Sequence, residues 1–210
     1  MKKRPYHHGD LAAALLDRAE QTVHERGSEA LSLRELARDL GVSPGAPSRH
    51  FKTKQALLDA LALGGFERLV HAIETAREGA DRTFAAQLDA VAHTYVGFAT
   101  SNAALLDLMF SAKHSPEASP ALGEAAQRWS GQFLELVDEG QRRGEVREGP
   151  PERVTLTVFA PLHGYISLTA SGVLPPAAAG QGLDDVIASI VRHCKPEQSV
   201  QRTQPAEPTS

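Results

Sequence analysis

The chain has 210 residues, 41% hydrophobic and 23% charged, which are the proportions of a globular protein long enough to bury a real core. Its single cysteine, Cys194, excludes an intrachain disulfide and agrees with a reducing compartment, and no run of about 18 uninterrupted apolar residues is present to span a membrane. The net charge of −4 is unevenly divided: residues 1–65 carry 10 Lys and Arg against 8 Asp and Glu (+2), and residues 66–210 carry 12 against 18 (−6), so the positive end of the chain is its N-terminal one.

Residues 1–9 contain Lys2, Lys3 and Arg4 without periodicity, and read either as a mobile basic arm able to follow phosphates or as a solvated terminus. They lack the apolar stretch of a signal peptide, so a soluble, cytoplasmic protein is expected. His7 and His8 have no third ligand in spacing and make no metal site. Asp10 is placed to cap a helix on which Leu11, Leu15, Ala19 and Val23 recur every fourth residue until Gly27 stops it.

Ser32 and Glu35 have the spacing of a capping box, and Leu31 and Leu36 that of a hydrophobic staple. Leu33, Leu36, Ala37 and Leu40 then line one helical face, with Arg34, Arg38 and Asp39 on the other. Gly41 ends this helix, and Ser43 with Pro44 supplies the next cap and a first residue lacking an N–H. A second short helix is expected from about Gly45 to Phe51, with little apolar besides Ala46, Pro47 and Phe51, so most of its surface faces outward. Two short helices around a tight turn form a helix-turn-helix, whose second helix enters the major groove of DNA while the first crosses the backbone. Thr53 caps a third helix, and Lys54 stands at its positive end, which suits a phosphate.

The order LSLRELARDLGVSPGAPSRHFKTKQALLDAL, from Leu31 to Leu61, resembles the signature of the TetR family of one-component transcriptional regulators. Ser48 stands where that family usually carries a tyrosine, and Pro47 removes an early helical N–H, which would move the start of the helix one turn later. The resemblance implies an all-α fold: a three-helix DNA-binding module over residues 10–55, and a helical ligand-binding and dimerisation domain over residues 56–194. The DNA-contacting set expected is Ser32, Arg34, Ser43, Gly45, Ala46, Pro47, Ser48, Arg49, His50 and Lys54.

From Lys54 to about Glu78 runs one long pattern, with Leu58, Leu61, Ala62, Leu69, Val70 and Ile73 inward and Gly64-Gly65 as a weak point. At 1.5 Å per residue it spans about 37 Å, enough to link two modules. Phe84 to Ser101 carries a further stripe, Asn102 starts a short helix, and residues 113–120 read as a loop. Helices are expected over residues 121–143, 152–174 and 183–193, separated by EVREGPP and LPPAAAGQG, with Pro161 inside the second. Residues 195–210, with three prolines, read as a disordered tail.

The stretch 152–174 is apolar nearly all round and needs cover on two sides. The family resemblance supplies it as a homodimer held by a four-helix bundle, and a symmetric dimer places two recognition helices about 34–36 Å apart on a palindromic operator. Met109, Phe110, Trp129, Phe133, Phe159 and His163 read either as core or as the lining of the small-molecule inducer pocket that the resemblance implies. FAPLHG, Phe159 to Gly164, resembles the Trp-x-x-x-His-Gly element of one C-terminal subgroup, with Phe159 in place of the tryptophan. No nucleophile elbow, phosphate-binding glycine loop or zinc-protease motif is present, so neither enzyme activity nor a cofactor is expected. The expected function is a repressor released from its operator by a small apolar ligand, with a DNA-binding protein lacking a sensor as the alternative.

Overall fold

The computed structural model describes residues 11–197, with residues 176–180 described through their backbone only. The basic arm, the Asp10 cap and residues 198–210 of the tail lie outside the described residues. Within them the chain is all-helical and contains no strand. The helices are Leu11–Arg26 (α1), Leu33–Asp39 (α2), Lys54–Gly79 (α3), Phe84–Ser101 (α4), Ala103–Ala112 (α5), Pro120–Arg142 (α6), Pro151–Ala170 (α7) and Pro176–Cys194 (α8). Two 3-10 turns, Ser28–Ala30 and Pro47–Arg49, lie in the first third.

Local chemistry sets most of these boundaries. The hydroxyls of Thr53, Thr83 and Ser119 accept from the amides of Ala56, Ala86 and Leu122 at 3.0, 3.3 and 3.2 Å, each satisfying a donor that the first turn leaves free. Pro120, Pro151 and Pro176 each occupy the first helical position, where a missing N–H costs nothing. The proline at 176 corrects the expected loop over residues 174–182, because the chain enters α8 there rather than at Leu183. The helix expected over 152–174 stops at Ala170, where Gly172 turns the chain with a φ of 69°. The Ser32–Glu35 capping box is also absent: Ser32 makes no side-chain cap bond, and Glu35 lies 3.8 Å from Arg26 and 3.7 Å from Arg38.

The long α3 is the axis of the molecule. Its first turns pack on α1, through Leu15, Ala19, Val23, Leu57 and Leu61, and its remainder packs on α4, α5 and α6. It runs unbroken through Gly64 and Gly65, so the boundary expected at residues 55–56 falls inside a continuous helix. Gly65 is there because α5 comes close: a Cβ at this position would sit 2.6 Å from the sulfur of the fully buried Met109. Three buried polar groups tie the helices together. Gln87 of α4 donates to the carbonyls of Arg77, Ala80 and Asp81, closing the α3–α4 turn. Gln132 of α6 donates to the Val70 carbonyl at 3.2 Å. The Asp59 carboxylate accepts from the Ser119 amide at 2.8 Å, joining α3 to the start of α6.

Candidate nucleic-acid interface and aromatic core

Gly41 makes the turn of the helix-turn-helix. With a φ of 68° it occupies the left-handed region open to glycine, and Val42 N–H returns to the Ala37 carbonyl at 2.9 Å. The segment that follows differs from the α-helix expected over Gly45 to Phe51. Pro47 has no N–H to give to the Ser43 carbonyl, which accepts instead from Ala46 at 2.9 Å, and Pro47–Arg49 forms one 3-10 turn. His50 and Phe51 amides then both reach the Pro47 carbonyl, at 3.0 and 2.9 Å.

This tight turn sorts the side chains. Ser43, Gly45, Ser48, Arg49 and His50 are exposed on one continuous stretch, Ala46 is half-buried against the core, and Pro47 is buried. Pro47 therefore serves the fold and presents no side chain to a partner. Arg34 is exposed on α2, and Ser32 is half-buried at its start. Lys54 is already engaged: its ammonium donates to the Glu29 carbonyl at 2.8 Å and lies 3.9 Å from the Glu29 carboxylate. One of its three N–H groups thus pins α3 to the turn after α1, and two remain for another acceptor. Lys52, absent from the sequence-based set, is exposed in the same basic run. An ion pair between Arg18 and Asp39 at 2.9 Å fixes α1 against α2 behind this surface.

The C-terminal half is built on aromatic rings. Tyr95 is fully buried at the centre, with ring centroids 5.7 Å from Trp129, 5.9 Å from Phe133 and 6.0 Å from Phe159. Phe159 lies nearly parallel to His163 at 5.4 Å, and Phe110 meets Trp129 edge-on at 5.2 Å. The Tyr95 hydroxyl and His163 Nδ1 are hydrogen-bonded at 3.0 Å, the direction of the proton depending on the imidazole tautomer. Burial pushes the Tyr95 pKa far up, so the phenol stays protonated. Burial also lowers that of His163, helped by the charge of Lys113 and opposed by that of Asp107.

Two open grooves flank this cluster. Trp129, Phe133 and Phe159, with Thr155 and Leu156, line one of about 200 Å³. Phe110 and His163, with Leu106 and Ile166, line another of about 420 Å³. Met109, expected with them, fills the α3–α5 contact at Gly65 and lines neither groove. Tyr95 was not in the sequence-based set, because the α4 stripe marks it only as one more inward residue and its bond to His163 spans 68 positions.

Known families match the chain in two places. The family described as "Bacterial regulatory proteins, tetR family" matches residues 15–61, and "Tetracyclin repressor-like, C-terminal domain" matches residues 88–193. A solved structure of a protein of unknown function from Rhodococcus sp. RHA1 is 41% identical, with a TM-score of 0.85, covering 91% of this chain and 99% of that one. An HTH-type transcriptional regulator of Mycobacterium bovis is 26% identical over 143 residues, 65% of this chain and 60% of that protein, so the alignment spans less than two thirds of that relative. An HTH-type transcriptional repressor of Mycobacterium tuberculosis is 26% identical over 167 residues, 80% of this chain and 82% of that protein. The two matches fall on the helix-turn-helix and on the aromatic-cored helices, and the chain belongs to the TetR family of DNA-binding transcriptional regulators.

Proposed function

We propose that this protein is a cytoplasmic, homodimeric repressor that binds a palindromic operator and is released from it by a small apolar ligand. The observation that carries this reading is the continuity of α3 between an exposed polar reading segment and the aromatic grooves. Ser43, Gly45, Ser48, Arg49 and His50 face base edges in the major groove, with Ala46 at their margin. Ser32, Arg34 and the free N–H groups of Lys54 hold flanking phosphates. The mycobacterial relatives described as a regulator and a repressor support the same direction.

Dimerisation is supported by α7, which buries Val154, Val158, Leu162 and Ile166 within the chain yet leaves Leu156 64% and Leu168 44% exposed. A partner's α7 and α8 would cover this second apolar face and set the spacing of two reading segments. Trp129, Phe133, Phe159, Phe110 and His163 are the ligand-facing groups. Ligand entry displaces α6, and the bond from Asp59 to the Ser119 amide hands that displacement to α3 less than two turns from Lys54. A change in reading-segment spacing then penalises a fixed operator. A coupling of about 1–3 kcal/mol changes affinity roughly 5- to 150-fold, provided the ligand favours the DNA-free geometry.

Selection of a duplex from a random pool, followed by calorimetry with a ligand found by thermal-shift screening, tests the reading. Two chains should bind one symmetric duplex, and ligand affinity should fall with operator present by the factor by which ligand weakens operator binding. Equal ligand affinity with and without operator would end the sensor reading. A regulator without a sensor is the second reading, favoured by the ring-to-ring contacts that fill the core, and a screen in which no apolar compound raises the melting temperature would select it.

A further inference from the structure

Lys113 closes α5, one turn after Phe110. Its ammonium lies 4.6 Å from the centre of the Phe110 ring and 5.8 Å from that of Trp129, and the side chain is half-buried. Among the described residues no carboxylate is within ion-pair distance of it, in contrast to Lys54 with Glu29. Ring faces attract a cation but offer no lone pair to its three N–H groups. Trp129 beside it is 3% exposed, and its indole N–H has no acceptor among the described residues. A buried indole N–H ordinarily finds one. Two unmatched donors, one of them charged, thus flank the Phe110 ring, which lines the larger groove, while Trp129 lines the smaller and Lys113 itself lines neither.

We propose that this junction receives the carboxylate of an amphiphilic acid, with the Lys113 ammonium and the Trp129 N–H as donors and the apolar tail in the groove beside Phe110. The inference rests on the sensor reading above and names the chemical class of its ligand. A neutral head group leaves the ammonium without a counter-charge, and a cationic one is repelled by it. A dianionic head is disfavoured because a single ammonium, that of Lys113, stands over the Phe110 ring, and its own pKa is lowered by burial; burial and the charge of Lys113 also lower the pKa of His163, although Asp107 acts the other way. Asp107 and Glu152 are exposed on the linings of the two grooves, and their carboxylates oppose a second negative charge.

Trp129 is the single tryptophan of the chain, so the emission of the full-length protein reports this junction without a label. Decanoate, 1-decanol, decylammonium and decyl phosphate differ in head group on one tail. Decanoate should change the emission saturably and bind at least about tenfold tighter than the other three, the scale of a charge-assisted hydrogen bond. Lys113→Met should lose about tenfold or more for decanoate and little for 1-decanol, while Lys113→Arg keeps decanoate binding within a few-fold. Circular dichroism establishes that each variant is folded. Decanoate affinity unchanged in Lys113→Met, no decanoate binding at all, or any other head group binding as tightly would overturn the assignment. If 1-decanol alone bound and released operator, the head-group assignment would fall while the sensor reading stood. If decanoate bound through Lys113 without releasing operator, the site would stand and the sensor reading would fall.

Discussion

The helix-turn-helix and the aromatic-cored helices place the side chains proposed to act in opposite ways. Between Ser43 and His50 the polar groups are exposed on and just before one short 3-10 turn, Pro47–Arg49. Between Phe66 and His163 the residues proposed to meet a ligand are also the residues that pack the core, with Tyr95 fully buried among Trp129, Phe133 and Phe159. A change in the first region should therefore alter recognition and leave stability intact. A change at one of these rings cannot touch ligand binding without touching the fold. The two regions nevertheless meet on one helix, α3, whose ends serve different chemistries.

The sharpest way to break this comparison is at Tyr95. Replacing it by alanine should cost about 3–5 kcal/mol of stability in chemical denaturation, the range for a large buried aromatic, while the folded fraction keeps its operator preference. An unchanged denaturation midpoint would remove Tyr95 from the centre of the core. Next in size is the pair Gly65 and Gly64. Gly65→Val drives a side chain into Met109 and should destabilise by about 1–3 kcal/mol. Gly64→Ala, where nothing lies within 4 Å, should stabilise by about 0.5–1 kcal/mol through helix propensity alone. Equal effects at the two positions would mean that close approach of α5 does not set the requirement.

On the DNA side, Lys54→Ala should weaken binding to all duplexes alike and reduce the salt slope by about 1, as loss of one phosphate contact does. Ser48→Ala and His50→Ala should instead change which duplex is preferred, with melting temperatures unmoved. Titrations at several salt concentrations separate these outcomes, and a uniform loss at His50 would move it to the phosphate set. The smallest effect expected is at His163. Its pKa lies below the ordinary 6.5, so the unfolded chain takes up the proton first as pH falls. The stability contributed by the neutral imidazole is complete above that value and lost as pH falls from it toward the folded-state pKa. Between pH 7 and 5 the wild type should lose about 1–2 °C more in melting temperature than His163→Gln, and an identical loss in both would place the proton elsewhere.

Local sequence carried the α-helices and the turn at Gly41, because caps, prolines and a 3.6-residue apolar period act within one or two turns; it missed that α8 begins at Pro176 and that the segment after Gly45 is a 3-10 turn. It also marked the segment from Ser43 to His50 as largely exposed, by how few apolar residues it holds. Tertiary structure decided what those side chains meet. It withdrew Pro47 into the core, engaged Lys54 with a carbonyl 25 residues away, set Met109 against Gly65 and joined Tyr95 to His163. It also left Ser32 without its cap bond, as Glu35 lies instead beside Arg26 and Arg38. Periodicity can say that a residue points inward. Only the packing of α4, α5, α6 and α7 around α3 determines which inward residues touch, because those contacts join positions too far apart in the chain for any local pattern to relate.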